Sequence, residues 1–307
     1  MIEGPTLSYK RLINTAKNIS RVSDDRNLGL IAAGVAFFSM LAIFPGIAAL
    51  ISIWGIFADP VVIESQLQLL ARFVPDQAFR ILERQVNALI SANESTLGWT
   101  TLISTLAAIW SARAGVAALI RGLNAIYRES NRPGLKHYIA ALLLTLALVG
   151  VGLISMTSVV IAPLAIAYFP LGDFTTNVLE VTRWTIAFLV AIFGLGIVYR
   201  FGPNRRHARI GWISPGAVVA VVIWGALSVA FSYYLSNFGN YNEVYGSIGA
   251  VIALLMWFYI SAYVVLMGAV VNAQLELRTR RDSTVGPDRP MGQRGAYVAD
   301  HLVRDES

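Results

Sequence analysis

Between Arg26 and Asp59 the chain reads NLGLIAAGVAFFSMLAIFPGIAALISIWGIFA, with no charged side chain from Leu28 to Phe57. A helix crossing a hydrocarbon layer of ~30 Å needs about 20 apolar residues, so this stretch spans it with length to spare. Pro45-Gly46 falls inside it. Proline removes a backbone donor and kinks a helix, which makes Pro45 a candidate kink.

The same pattern returns downstream. Charge-poor runs occupy Thr96 to Ala112, Tyr138 to Phe169, Trp184 to Tyr199, Ile210 to Leu235 and Val244 to Leu275, with Pro215 a second kink candidate. The whole chain of 307 residues is 56% hydrophobic and 14% charged, which sets aside a soluble enzyme and a disordered protein alike. The reading is an all-α polytopic membrane bundle of six transmembrane helices. Residues 28–277 form the membrane domain, 1–27 a polar N-terminal segment, and 278–307 a flexible, weakly ordered tail rich in charge, Gly and Pro. Between the first two crossings, 59–95 alternates apolar and charged residues at helical spacing, as a periplasmic amphipathic helical insertion would.

Orientation follows from the cations. The formal charge is +6, and twenty of the 24 Lys and Arg lie in the N-terminal segment, the links Arg113–His137 and Arg200–Arg209, and the tail. Cationic residues resist translocation, so both termini are expected in the cytoplasm, with the chain multi-pass in a bacterial inner membrane. Topology therefore accounts for the basic charge, and no nucleic-acid partner is inferred from it. Oligomeric state is not legible.

Little in the sequence points to catalysis. Cysteine is absent, which excludes thiolate metal sites and thiol nucleophiles. His137, His207 and His301 have no second ligand at helical spacing, and no phosphate-cradling Gly loop, HExxH pattern or nucleophile elbow occurs. The expectation is no enzyme, no catalytic residue, no metal and no cofactor.

Attention falls instead on polar residues within or beside apolar runs. Arg113 and Arg121 are eight apart, close to one helical face, with Asn124 nearby. A guanidinium at such depth must reach lipid phosphate, a carboxylate or a wet cavity, since an unpaired buried charge costs several kcal/mol. Asn272, Gln274 and Glu276 at the end of the sixth segment are partners by depth, Glu276 being the nearest acid. Arg113, Arg121, Asn124, Asn272 and Glu276 are thus the candidates for contact with membrane lipids or an anionic lipid or solute. Gly246, Gly249 and Gly268 suit close helix packing.

Several phrases together carry a family resemblance: Ala33-Gly34-Val35-Ala36-Phe37-Phe38 running to Phe44-Pro45; Trp110-Ser111, Gly115 and Leu123-Asn124-Ala125-Ile126-Tyr127; Tyr245-Gly246-Ser247-Ile248-Gly249-Ala250 leading to Trp257-Phe258-Tyr259; and Gly268-Ala269-Val270-Val271-Asn272-Ala273. Over residues 10 to 277 the chain resembles the YihY/BrkB family of bacterial inner-membrane proteins. The resemblance implies a six-helix inner-membrane protein whose relatives have carried the labels virulence factor and ribonuclease BN and for which transport or lipid-export roles have been proposed. Relatives often carry an acid where this chain has Val270, so any ion coupling through that acid is in doubt here. Two functions follow as expectations: transport or translocation of a lipid or envelope component around an arginine site, with the first, second, fifth and sixth segments lining a cavity, or a non-transporting scaffold affecting envelope integrity. Ribonuclease chemistry lacks its usual metal ligands or His pair.

Overall fold

The computed structural model describes residues 21–57, 94–168, 173–237 and 241–302. Six long helices follow one another: α1 (Leu28–Phe57), α2 (Glu94–Tyr127), α3 (Gly134–Tyr168), α4 (Asp173–Phe201), α5 (Ile210–Asn237) and α6 (Tyr241–Glu276). A single turn, α7 (Tyr297–Asp300), closes the order. Five of the long helices carry runs long and apolar enough to cross a membrane, and α1 adds the shorter apolar stretch Leu28–Ile43. Among the described residues there is no strand, only an isolated antiparallel bridge between Ala208 and Thr284. The all-helical membrane bundle expected from charge-free runs is the observed fold. The amphipathic insertion expected over 59–95 lies almost wholly outside the described residues, as does most of the N-terminal segment.

Neighbouring helices in sequence pack side by side, and α6 returns against α1 and α2. From α2 onward, short connections between successive helices dictate that order. α1 runs unbroken through Pro45, and α5 contains Pro215. The densest packing lies at the end where the Arg-rich links gather, called here the basic end. Leu28 and Ala32 of α1, Ile120 and Leu123 of α2, Tyr199 of α4, Ala217 of α5, and Leu266 and Val270 of α6 meet there in one buried cluster. The space between α1, α2 and α6 at this end is filled with side chains.

The stretch after Glu276 departs from the expectation of a weakly ordered tail. Val298 and Ala299 are buried, and Val298 belongs to the core. The Arg294 guanidinium donates to the carbonyls of Arg280, Arg281, Arg289 and Ala299. Asp300 accepts the N–H groups of Gly292, Arg294 and Gly295. Balanced charge was read as solvation, whereas here the charges satisfy the backbone of an irregular segment and let it pack.

Candidate functional site

Asn272 sits wholly buried between α5 and α6. Its Oδ1 accepts the Gly216 N–H at 2.7 Å, and its Nδ2 donates to the Ile213 carbonyl at 3.1 Å. Pro215 has no N–H to give, and Asn272 binds backbone groups on either side of it, the role a polar side chain takes beside a membrane proline. The helices come this close because Gly216 and Gly268 face each other: a Cβ on Gly216 would fall on the Gly268 carbonyl oxygen. Tyr199 seals the contact by donating its hydroxyl to the Val265 carbonyl at 2.7 Å. Asn272, Pro215 and Gly268 are thereby one packing unit.

Glu276 is also fully buried, and its partner is Arg205 from the link between α4 and α5, at 2.7 Å. This corrects the expectation that Glu276 answers the arginines of α2. Ser283 of the tail donates to the same carboxylate oxygen at 2.7 Å. The Arg205 guanidinium lies 4.8 Å from the Tyr127 ring centroid. Glu276 thus ties α6, the α4–α5 link and the tail together, with Tyr127 of α2 beneath. Asn124 is equally structural: it accepts the Asn204 N–H at 2.7 Å and donates to Asn131 at 2.9 Å. Arg132 completes the arrangement by donating to the carbonyls of Phe201, Gly202 and Pro203.

The tail joins both links. The Tyr297 N–H donates to Glu129 at 2.8 Å, and the Glu129 carboxyl is held above its ordinary range by burial. Arg209 donates to the Thr284 and Gly286 carbonyls and pairs with Asp288. Asp282 titrates below its ordinary range: burial opposes its charge, but the N–H groups of Thr284 and Arg289, the Thr284 hydroxyl and the nearby Arg294 outweigh that cost.

Arg113 and Arg121 stand apart from this core, on the side of α2 met by the start of α3. The Arg113 guanidinium lies 4.3 Å from the Tyr138 ring centroid and 5.1 Å from that of Trp110, and its Nε is buried with no hydrogen-bond partner. Trp110 is exposed on the outer surface of the bundle. Tyr138 is where α3 passes from Lys136 and His137 into uncharged sequence, so Arg113 is level with the start of that apolar run. Arg121, about two turns further along α2, is exposed. Among the described residues neither forms an ion pair with an acid. Both act electrostatically on His137, as does Arg132.

Sequence reasoning therefore named the right acid and the wrong cation. Arg205 was indistinguishable from the other link arginines, because only the fold of residues 202–209 turns it inward. His137 was weighed as a metal ligand alone. Its real signal was its place beside Lys136, at the mouth of an apolar run and opposite two arginines of the previous helix. No group of three or more His, Asp or Glu able to hold a metal occurs among the described residues.

Comparison with known proteins gives these features a family context. The family described as "Virulence factor BrkB" matches residues 19–292. "Putative ribonuclease-like protein YfkH" of Bacillus subtilis (strain 168) is 29% identical over 254 residues, covering 81% of this chain and 90% of that protein. A "UPF0761 membrane protein" of Tolumonas auensis is 28% identical over 265 residues, 83% of this chain and 82% of its own. "UPF0761 membrane protein PSHAa0171" of Pseudoalteromonas translucida is 27% identical over 266 residues, 83% of each. No solved structure matches significantly.

Proposed function

Since the chain belongs to the virulence factor BrkB family of membrane proteins, we propose that it binds an anionic lipid or lipid-like envelope component and moves it between leaflets, using Arg113 and Arg121 as its station at the basic end. In this reading the protein sits in a bacterial inner membrane with both termini cytoplasmic, and it is not an enzyme. One observation carries the proposal. Arg113 lies against Trp110 and Tyr138 on the membrane-facing side of the bundle, with a buried Nε that no protein group satisfies. A guanidinium in such a place gains most from an anion arriving along the membrane plane. Asn124, Asn272 and Glu276 are committed to other protein groups and serve here as the rigid support behind the station.

The route differs from a central channel. Side chains fill the basic end between α1, α2 and α6, which favours passage of a headgroup along the lateral α2–α3 surface. The same filled interior supports a second reading, a non-transporting scaffold that gathers anionic lipid around itself. Purified protein in vesicles separates the two. Dithionite quenching of an NBD-labelled phosphatidylglycerol reports transbilayer movement. Wild type is expected to accelerate it over empty vesicles, and Arg113→Ala to remove most of that acceleration. No acceleration by wild type leaves the scaffold; acceleration untouched in Arg113→Ala removes the assigned station. The ribonuclease-like name of the Bacillus subtilis relative has no counterpart in the chemistry of this station.

A further inference from the structure

Where α2 meets the first turns of α3, two side chains hold buried nitrogens with no hydrogen-bond partner. His137 has both ring nitrogens buried and neither is hydrogen-bonded. Arg113 Nε, on a guanidinium that lies over the Tyr138 ring and acts on His137, is in the same condition. The charged groups that act on His137 are Arg121, Arg132 and Arg113, with no carboxylate among them. Of these, Arg132 is already spent on three carbonyls of the α4–α5 link. Arg121 and the neighbouring Lys136 are exposed. Elsewhere at this end Arg205 pairs with an acid and Arg294 with a set of carbonyls, although Arg200, Arg205 and Arg206 each keep one buried nitrogen without a partner. At His137 both ring nitrogens are without one, and no carboxylate acts on it.

Buried polar nitrogens are normally paired, because an unmade hydrogen bond costs about 1–3 kcal/mol. Two side chains left unpaired together, inside a ring of positive charge, describe a site whose missing member is an anion. Its chemistry is narrow. The ligand must offer several acceptor oxygens to a guanidinium and an imidazole at once, and must tolerate the flat faces of Trp110 and Tyr138. It must also reach a point level with the first apolar residue of α3. We propose that Arg113, His137 and Arg121 form a phosphate-ester site, occupied by the headgroup phosphate of an anionic phospholipid whose acyl chains lie along the exposed apolar surface of α2 and α3. Ile139 and Leu143 of α3 and Leu106 of α2 line that surface. His137 supplies a bond to phosphate in either ring state, as donor from Nδ1 or Nε2. This site names the substrate class of the station proposed above and rests on that reading for its role in translocation.

Native mass spectrometry of the full chain in detergent, after exchange into mixed phosphatidylglycerol and phosphatidylcholine, measures which lipid stays bound. A parallel arm with soluble glycerol phosphate distinguishes a lipid headgroup from a free phosphate ester. Wild type is expected to retain phosphatidylglycerol over phosphatidylcholine, with glycerol phosphate bound far more weakly. Arg113→Gln or His137→Gln should each lower that retention roughly tenfold, the worth of one charge-assisted bond. Arg113→Lys should keep part of it. Arg280→Gln, which removes the same charge from the tail, should leave it unchanged. Equal retention by all variants overturns the phosphate site, as does an equal loss in Arg280→Gln. Glycerol phosphate competing as well as the lipid overturns the lipid source and keeps the phosphate. The vesicle assay separates this from the functional reading. Retention lost in Arg113→Gln with transbilayer movement unchanged keeps the site and removes the station; movement lost with retention intact does the reverse.

Discussion

The two halves of α2 are made of similar residues and have opposite surroundings. Toward its start, Ile103 is 64% exposed and Trp110 61% exposed on the surface of the bundle. Toward its end, Ile120, Leu123 and Tyr127 are all fully buried in the core cluster that the other helices share. Apolar side chains that face hydrocarbon gain nothing from being buried in protein, so the first half has no need of a core. The second half meets links and a folded tail, where buried polar groups must find protein partners or stay unpaired. The contrast assigns specificity in this molecule to the basic end. Arg113 lies on the boundary between the halves, where it combines a membrane-facing ring contact with a missing hydrogen bond.

The largest effect expected from this contrast is at the glycine pair of the basic end. Gly216→Val would drive a branched side chain onto the Gly268 carbonyl and the Asn272 amide, both backed by packed helix. Overpacking against backbone has no cheap relaxation, so folded yield in membranes, followed by size-exclusion of a fluorescent fusion, should collapse. A normal yield would mean that α5 and α6 do not meet as closely as their backbones indicate. Next comes the buried ion pair. Glu276→Leu alone leaves Arg205 charged and unpaired, at a cost of about 3–5 kcal/mol, whereas Arg205→Met with Glu276→Leu should recover much of it. Thermal stability in detergent reads the cycle. Losses in the two single variants that simply add in the double would show that the residues act independently.

These expectations also mark what the sequence made legible. Six charge-free runs were enough to announce six helices, because a hydrocarbon layer forbids almost everything else. Pro215 and Asn272 were both singled out, yet their partnership was not, since 56 residues separate Asn272 from the N–H it accepts. Glu276 was recognised as an acid needing a cation. Choosing Arg205 over the other link arginines requires the path of the α4–α5 link, where Gly202 allows Leu123 to approach and Asn124 holds Asn204. The tail misled for a simple reason. Its charges are balanced and interspersed with Gly and Pro, the composition of a solvated segment, but Arg294 and Asp300 spend theirs on internal backbone groups. His137, without a second ligand at helical spacing, looks inert in the sequence until its neighbours in the fold are known.

The smallest effect belongs to the first half of α2. Leu106 is exposed, next to the turn that carries Trp110, and its neighbours in the membrane are acyl chains. Leu106→Ala removes apolar surface that lipid can replace, so stability should change by less than about 1 kcal/mol, far below the ~2–5 kcal/mol of the same truncation in a packed core. Leu123→Ala on the same helix, 17 residues later, is the matched control, because Leu123 is fully buried and touches the α4–α5 link. A difference in melting temperature between the two variants measures the contrast directly. Similar losses would mean that another surface, such as a second copy of the chain, covers Leu106 in the membrane, and the α2–α3 surface beside it would then face protein where the phosphate proposal requires lipid.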